Sequence, residues 1–329
     1  MSAQPLIAAE AVTKEFPLQG SMLPWRAHRF TAVENVSIAI APGEVLGLVG
    51  ESASGKSTLG RILLGLIQPS AGTVRFRGTD LRAIGGGERR AMRRALQIIF
   101  QDPYASLDPR LTIGAIVREG LDIHGIGAPG ARDVKVAHLL GRVGLDAGFA
   151  RRYPHELSGG QRQRVGIARA LAVEPTFIVG DEPVSALDVS IRGQILALLA
   201  ELRRSMGLSM LLISHDIGAI SQLSDRIAVL YAGRMIEIGS RSQVLRTPRH
   251  PYTRALLAAI PVPDPSRRRA PPPALTDGAS ASPDRAGCVF APRCPHVRPA
   301  CTGSVPPLTV LESGHGTACL LQDELPPAA

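Results

Sequence analysis

The sequence predicts an α/β protein on a parallel sheet, with a helical subdomain inserted into it and a small cysteine-bearing tail behind it. Three observations predict this. Short apolar runs stop at glycine or a polar residue: VLGLV (Val45 to Val49) before Gly50, Phe177 to Val179 before Asp181, and Met210 to Ile213 before Ser214 and His215. That is the pattern of strands buried on both faces. Between the last two runs, Ile191, Ile195, Leu198, Leu199 and Leu202 follow helical spacing. Strand, helix and strand in succession point to parallel pairing. From Tyr104 to Glu156 the strand pattern stops and helical spacing takes over, as in Val134, Ala137, His138, Leu140 and Val143.

At the start of the chain, MSAQPLIAAE lacks the basic residues and apolar run of a signal peptide. No run of apolar residues reaches the ~18 that would span a bilayer. The chain is therefore expected to be cytosolic. IAVLYAGRMIEI (Ile227 to Ile238) reads as two strands around a turn at Ala232 and Gly233. The segment 261–287, with APPPA inside it, reads as a linker. Its 329 residues suggest about two domains. The expected division is 1–246 for the α/β domain, with the helical subdomain at about 104–160, and 247–329 for a C-terminal region carrying cysteines between 288 and 319. The net charge is +9, but the arginines are scattered, in Arg89 to Arg94 and Arg267 to Arg269 for instance. Aromatic residues are 4%, too few for a base-stacking surface, so nucleic acid is not an expected partner.

The chemistry begins at GESASGKST. Gly50, Gly55, Lys56 and Ser57 match G-x-x-x-x-G-K-[ST] between a strand and a helix, the context of a phosphate-binding loop. Backbone amides from Gly50 through Glu51, Ser52, Ala53, Ser54 and Gly55 to Thr58 can wrap phosphates, with about half a positive charge behind them at a helix N-terminus. Lys56 is expected to reach the β- and γ-phosphates and Ser57 to bind Mg²⁺. Asp181 ends a buried strand, where its carboxylate suits Mg²⁺. Glu182 follows it, placed to deprotonate a water. LSGGQ (Leu157 to Gln161) offers a second glycine-rich helix start, with Ser158 as the cap of a helix beginning near Gln161 and Gly159 and Gly160 open to close approach. One phosphate site does not need two cradles from one chain. LSGGQ is therefore expected to close over ATP held by a partner subunit.

These residues resemble the ATP-binding-cassette family over nearly the whole chain: the phosphate loop, Gln101 in IIFQDPYASLDPR, LSGGQ, Asp181-Glu182-Pro183, SALD ending at Asp188, and His215 in LLISHD. The resemblance implies a P-loop NTPase nucleotide-binding domain: a RecA-like core, an inserted helical subdomain and an antiparallel β subdomain. It also implies roles. Gln101 contacts Mg²⁺ and water, His215 contacts the γ-phosphate, and Asp188 reaches across a dimer with Ser158, Gly159, Gly160 and Gln161. Phe16 in VTKEF resembles the aromatic that stacks on adenine, with Val33 nearby. The sequence departs from the family pattern at Ala53, where glycine is usual, and at Gly180, where a bulkier apolar residue is common. If position 53 needs a positive φ, its β-carbon costs about 1 kcal/mol.

DEPVSALDVS, TPRHPYTRALLAAIPVPDP and GCVFAPRCP narrow the resemblance to the ATPases of oligopeptide and dipeptide importers, with the second ATPase of the pair as the nearer match. That implies a second ATPase subunit in a heterodimer, two membrane permease subunits, a solute-binding protein, and a place at the cytoplasmic face of the inner membrane. The same branch includes carriers of nickel, glutathione and opines. Cys288, Cys294, Cys301 and Cys319 are all the cysteines of the chain. Three readings are open for them: reduced buried thiols, a zinc site, or a [4Fe–4S] cluster. The resemblance favours the cluster. His296 and His315 are substitute ligands or surface residues.

Overall fold

The computed structural model describes residues 4–17, 29–260 and 286–324. Along the chain run β1 (Ile7–Pro17), β2 (Arg29–Ile40), β3 (Val45–Val49), α1 (Lys56–Leu63), β4 (Ala71–Phe76), β5 (Thr79–Asp80), α2 (Gly86–Ala95) and β6 (Leu96–Ile99). Helices α3 (Ile113–His124), α4 (Arg132–Arg142) and α5 (Gly159–Ala172) follow. Then come β7 (Phe177–Asp181), α6 (Val189–Met206), β8 (Ser209–Ser214), α7 (Ile217–Ser221), β9 (Arg226–Tyr231) and β10 (Arg234–Ser240). The C-terminal part holds α8 (Arg241–Arg246), α9 (Pro251–Ala258), α10 (Pro299–Gly303), β11 (Thr309–Val310) and β12 (Gly316–Thr317). The segment expected as a linker lies outside the described residues except for Ala286 and Gly287, and Arg267 to Arg269 lie outside them too.

Two sheets form. The larger has the order β11-β12-β10-β9-β3-β8-β7-β6, and β9, β3, β8, β7 and β6 are parallel neighbours. Every residue of β3, β7 and β8 is buried, as the unbroken apolar runs required. The smaller sheet, β2-β1-β4-β5, is antiparallel. The turn between β9 and β10 has φ of 46° at Ala232 and 85° at Gly233. Positive φ at both central residues makes a tight hairpin turn whose twist matches the strands it joins.

Helices α3 to α5 pack on one another through Ile113, Ile116, Val117, Leu121, Val136, Leu139 and Leu140. The helix expected around Val134 to Val143 is present, with Leu140 and Val143 of the expected set buried and Val134 and His138 exposed. Val134 is 72% exposed, and Val136, Leu139, Leu140 and Val143 face inward. The two sets share Leu140 and Val143, and contact with α3 and α5 puts Val136 and Leu139 inside in place of Val134 and His138.

The C-terminal region does not stand apart. β12 pairs with β10, so β11 and β12 extend the main sheet. Phe290 is fully buried in the main core with Tyr231 and Tyr252. A tail that borrows the core of its neighbour does not need a metal merely to fold. His315, expected at the surface or on a metal, is buried, and its Nε2 lies 2.8 Å from Oε1 of the fully buried Glu237. Glu237 also accepts from the backbone N–H groups of Arg249 and His250, at 2.8 and 2.9 Å. These bonds tie the segment after β10 and the tail to one buried carboxylate. His296 is exposed.

Candidate active site

Strand register assembles the site. Ile99 of β6 lies opposite Gly180 of β7, so Gln101 emerges beside Glu182, each two residues further on. Asp181 lies opposite Ile213 of β8, so Glu182 emerges near His215. Ser214 lies opposite Val49 of β3, whose next residue opens the phosphate loop. Four loops thus meet at the C-terminal edge of neighbouring parallel strands, where open α/β sheets place their ligands.

The phosphate loop is shaped by close approaches. A β-carbon at Gly50 would sit 2.1 Å from the Leu230 carbonyl oxygen, and one at Gly55, where φ is 99°, would sit 2.1 Å from that of Ala32. Only glycine fits either position. Ala53 has φ 61°, so the residue that departs from the family pattern does sit in the left-handed region. Lys56 is buried, and its ammonium donates to the carbonyl oxygens of Gly50 and Glu51 at 2.8 and 2.7 Å. Burial pulls its pKa below the usual lysine range, against the attraction of Glu182, Asp181 and Glu51. Gly180 is explained as well: a β-carbon there would lie 3.0 Å from Leu212 Cδ2 and 3.3 Å from Pro183 Cγ.

Ser57 Oγ donates to Asp181 Oδ1 at 2.7 Å. Asp181 is buried, and that burial raises its pKa against the hydroxyl of Ser57 and the charge of Arg61. A buried carboxylate paired with a hydroxyl suits a hard cation with oxygen ligands, so these residues fit Mg²⁺. Beside them, Glu182 Oε2 accepts from Gln101 Nε2 at 3.1 Å and lies 3.2 Å from His215 Nδ1. Glu182 has φ 47°. A left-handed glutamate is strained by on the order of 1–3 kcal/mol, and such strain collects at functional sites.

LSGGQ lies elsewhere on the surface. Ser158 caps α5, its hydroxyl accepting from Gln161 N–H at 3.3 Å while Gln161 Oε1 accepts from Ser158 N–H at 2.9 Å. The helix begins at Gly159 rather than near Gln161. Ser158 and Gly159 are exposed, as is Asp188 at the start of α6. Among the described residues no hydrogen bond joins Ser158–Gln161 to residues 50–58. Phe16 is half-buried on β1, with Lys14 Nζ 5.1 Å from its ring centre. Val33 is fully buried beneath the phosphate loop, so its side chain supports the loop and offers a base no surface.

Two contacts had no signal in the sequence. Tyr252 Oη accepts from Glu51 N–H at 2.9 Å, and Arg293 Nη1 donates to Glu51 Oε2 at 2.8 Å. Their partners are about two hundred residues upstream, and nothing local marks them.

The cysteines are all free thiols, and all four line one small pocket with His250, Phe290 and Leu321. Burial raises the thiol pKa of Cys288, Cys294 and Cys319, the last to about 11. Nearby backbone N–H groups, those of Phe290 and Ala291 for Cys288, His296 for Cys294 and Leu321 for Cys319, pull the other way. Among the described residues no three His, Cys, Asp or Glu side chains are grouped so as to hold a metal, zinc and cluster alike.

The description "ABC transporter" belongs to the family pattern that matches residues 33–185, and "Oligopeptide/dipeptide transporter, C-terminal region" to the one that matches 236–301. A putative peptide import ATP-binding protein of Brucella ovis is 48% identical over 97% of this chain and 99% of its own length. A putative oligopeptide transport ATP-binding protein of Bacillus subtilis is 50% identical over 88% of this chain and 89% of its own. A glutathione import ATP-binding protein of Salmonella paratyphi A is 50% identical over 82% of this chain and 43% of its own. Among solved structures, a dimeric post-hydrolysis state of the ATP-binding cassette MJ0796 bound to ADP and Pi superposes with a TM-score of 0.63. It is 31% identical, over 71% of this chain and 98% of that one. No helix among the described residues is long and apolar enough to cross a membrane.

Proposed function

The chain belongs to the ATP-binding subunits of ABC peptide importers, and on that premise we propose how it turns ATP hydrolysis into solute uptake. The observation that carries the reading is Glu182, held between Gln101 and His215 beside the Ser57–Asp181 pair. The loop from Gly50 to Thr58 binds the phosphates of ATP, except at Glu51, expected among the wrapping amides, whose N–H is taken by Tyr252 Oη. Lys56 leaves its loop carbonyls for the β- and γ-phosphates. Ser57, Asp181 and Gln101 would hold Mg²⁺, which would supply positive charge beside the phosphates. Glu182 takes the proton of the attacking water. His215 orients the γ-phosphate, and Phe16 stacks on adenine. The exposed LSGGQ element, with Asp188, completes the site of a second ATPase subunit. In this reading that subunit is a different chain. Closure on ATP moves two permease subunits at the cytoplasmic face of the membrane, which receive solute from a binding protein.

The solute is a peptide. The test is uptake and ATPase rate in liposomes carrying the two ATPases and both permeases. Turnover should rise with peptide-loaded binding protein. A rise with glutathione alone would transfer the reading to that solute, and no turnover at all would overturn it.

The cysteine pocket holds a [4Fe–4S] cluster in this reading. Four thiols around one pocket support it. Protein purified without oxygen should be brown and carry about four irons per chain. Colourless, iron-free protein would remove the cluster and leave four buried thiols.

A further inference from the structure

We propose that Arg293 and Tyr252, from the C-terminal region, are positioning residues for the phosphate loop, acting through Glu51. This rests on the reading of that loop as the ATP site. Glu51 is held by three groups. Its backbone N–H goes to Tyr252 Oη at 2.9 Å, its carboxylate to Arg293 Nη1 at 2.8 Å, and its carbonyl to Lys56 Nζ at 2.7 Å. The first two come from beyond residue 250, the third from the loop itself. With its N–H committed to Tyr252, Glu51 is not one of the amides that wrap phosphate. Its part is to fix where the wrapping begins.

An isolated ion pair of this exposure would do little, since Arg293 and Glu51 side chains are 24% and 42% exposed. Arg293 is not isolated. It also donates to Tyr231 Oη at 3.2 Å and lies 5.8 Å from the centre of that ring. Tyr231 ends β9, and the residue before it, Leu230, is the one whose carbonyl forbids a side chain at Gly50. The rings of Tyr231, Tyr252 and Phe290 pack with centroids 4.6 to 5.4 Å apart. Phe290 is fully buried three residues before Arg293, and the turn Ala291–Arg293 leads straight into Cys294. The first turn of the loop is thus braced by strand β9 and by the tail.

A positioning role predicts weaker ATP binding without a slower chemical step. The assay uses the full chain. ATP affinity is measured by calorimetry in a Glu182→Gln background, and KM and kcat in the assembled transporter with Glu182 intact. Arg293→Ala should raise the ATP Kd and KM roughly three- to tenfold and leave kcat within about twofold. Arg293→Lys should recover part of the affinity. Adding Glu51→Gln to Arg293→Ala should cost little more, because both remove one contact. Tyr252→Phe should also raise Kd. An unchanged Kd in Arg293→Ala together with a lower Tm would make the contact merely structural and overturn the proposal. If Arg293→Ala fails to fold, Arg293→Lys and Tyr252→Phe decide the matter, and unchanged affinity in both overturns it. A wild-type chain that neither binds nor hydrolyses ATP would instead overturn the underlying reading of the site.

Discussion

Replacing Gly159 by aspartate separates the two sides of the ATP site. A β-carbon at Gly159 would lie 3.7 Å from Leu187 Cδ2, an ordinary contact, whereas one at Gly160 would lie 2.8 Å from Ile191 Cγ2. Gly160→Asp must therefore displace Ile191, at about 1–3 kcal/mol, and its phenotype would mix misfolding with mechanism. Gly159→Asp avoids that. A carboxylate in the first turn of α5 even gains about 0.3–1 kcal/mol from the helix dipole. Facing the γ-phosphate of a partner's ATP is another matter. Two like charges about 4 Å apart at an effective dielectric of about 20 repel by about 4 kcal/mol, close to 10³-fold. The expected result is normal ATP affinity and Tm in the isolated subunit, with ATPase activity of the assembled transporter lowered at least about 10²-fold. ATP affinity is read by calorimetry and turnover by phosphate release. Weakened ATP binding in the isolated subunit would show that LSGGQ serves its own chain, and unimpaired turnover in the assembly would remove it from the site.

Glu182→Gln keeps size and still accepts from Gln101, so ATP binding should persist while turnover falls about 10²–10⁴-fold, measured by phosphate release and nucleotide retention. Ala53→Gly should raise Tm by a few degrees, because relief of about 1 kcal/mol or more of left-handed strain outweighs the added freedom of the unfolded chain, as a thermal melt would detect. Phe290→Ala empties a fully buried site shared by tail and core, and should cost about 3–5 kcal/mol in denaturant unfolding. His250 is buried, and burial lowers its pKa to about 4. The unfolded chain therefore binds the proton first, so stability is complete above about pH 6.5 and is lost as pH falls toward 4, by up to about 3 kcal/mol. His250→Asn, which can still cap α9, should flatten that slope in urea titrations.

The motifs were legible because their chemistry demands particular residues in a particular local order. The phosphate loop announces itself by Gly50 and Gly55 ahead of Lys56 and Ser57, and Asp181 stands at the end of a buried apolar run. What brings Gln101, Glu182 and His215 together was legible only in outline. The apolar runs announce parallel strands, but the register that sets Ile99 against Gly180 and Asp181 against Ile213 is decided by pairing across the sheet. The inner face of α4 was legible only in part, at Leu140 and Val143, for the same kind of reason. Val134 and Val136 are equally apolar, and contact with α3 and α5 chooses between them.

The C-terminal region shows where sequence reading runs out. Its cysteines attract notice by their rarity. The residues that attach it carry no such mark. Glu237 and His315 look like ordinary polar residues until the first is fully buried and the second closes on it. Arg293 is one basic residue among many until a turn beside Phe290 brings it to Glu51. These contacts bear on function because they make the tail part of the nucleotide site's scaffold. Whatever fixes the turn at Cys294, whether packing alone or a cluster on the four thiols, also fixes Arg293 one residue away. If the two are joined in this way, alanine at Cys294 should weaken ATP binding in the same direction as Arg293→Ala, with kcat again spared. Normal ATP affinity in Cys294→Ala would show that the core around Phe290 holds Arg293 by itself.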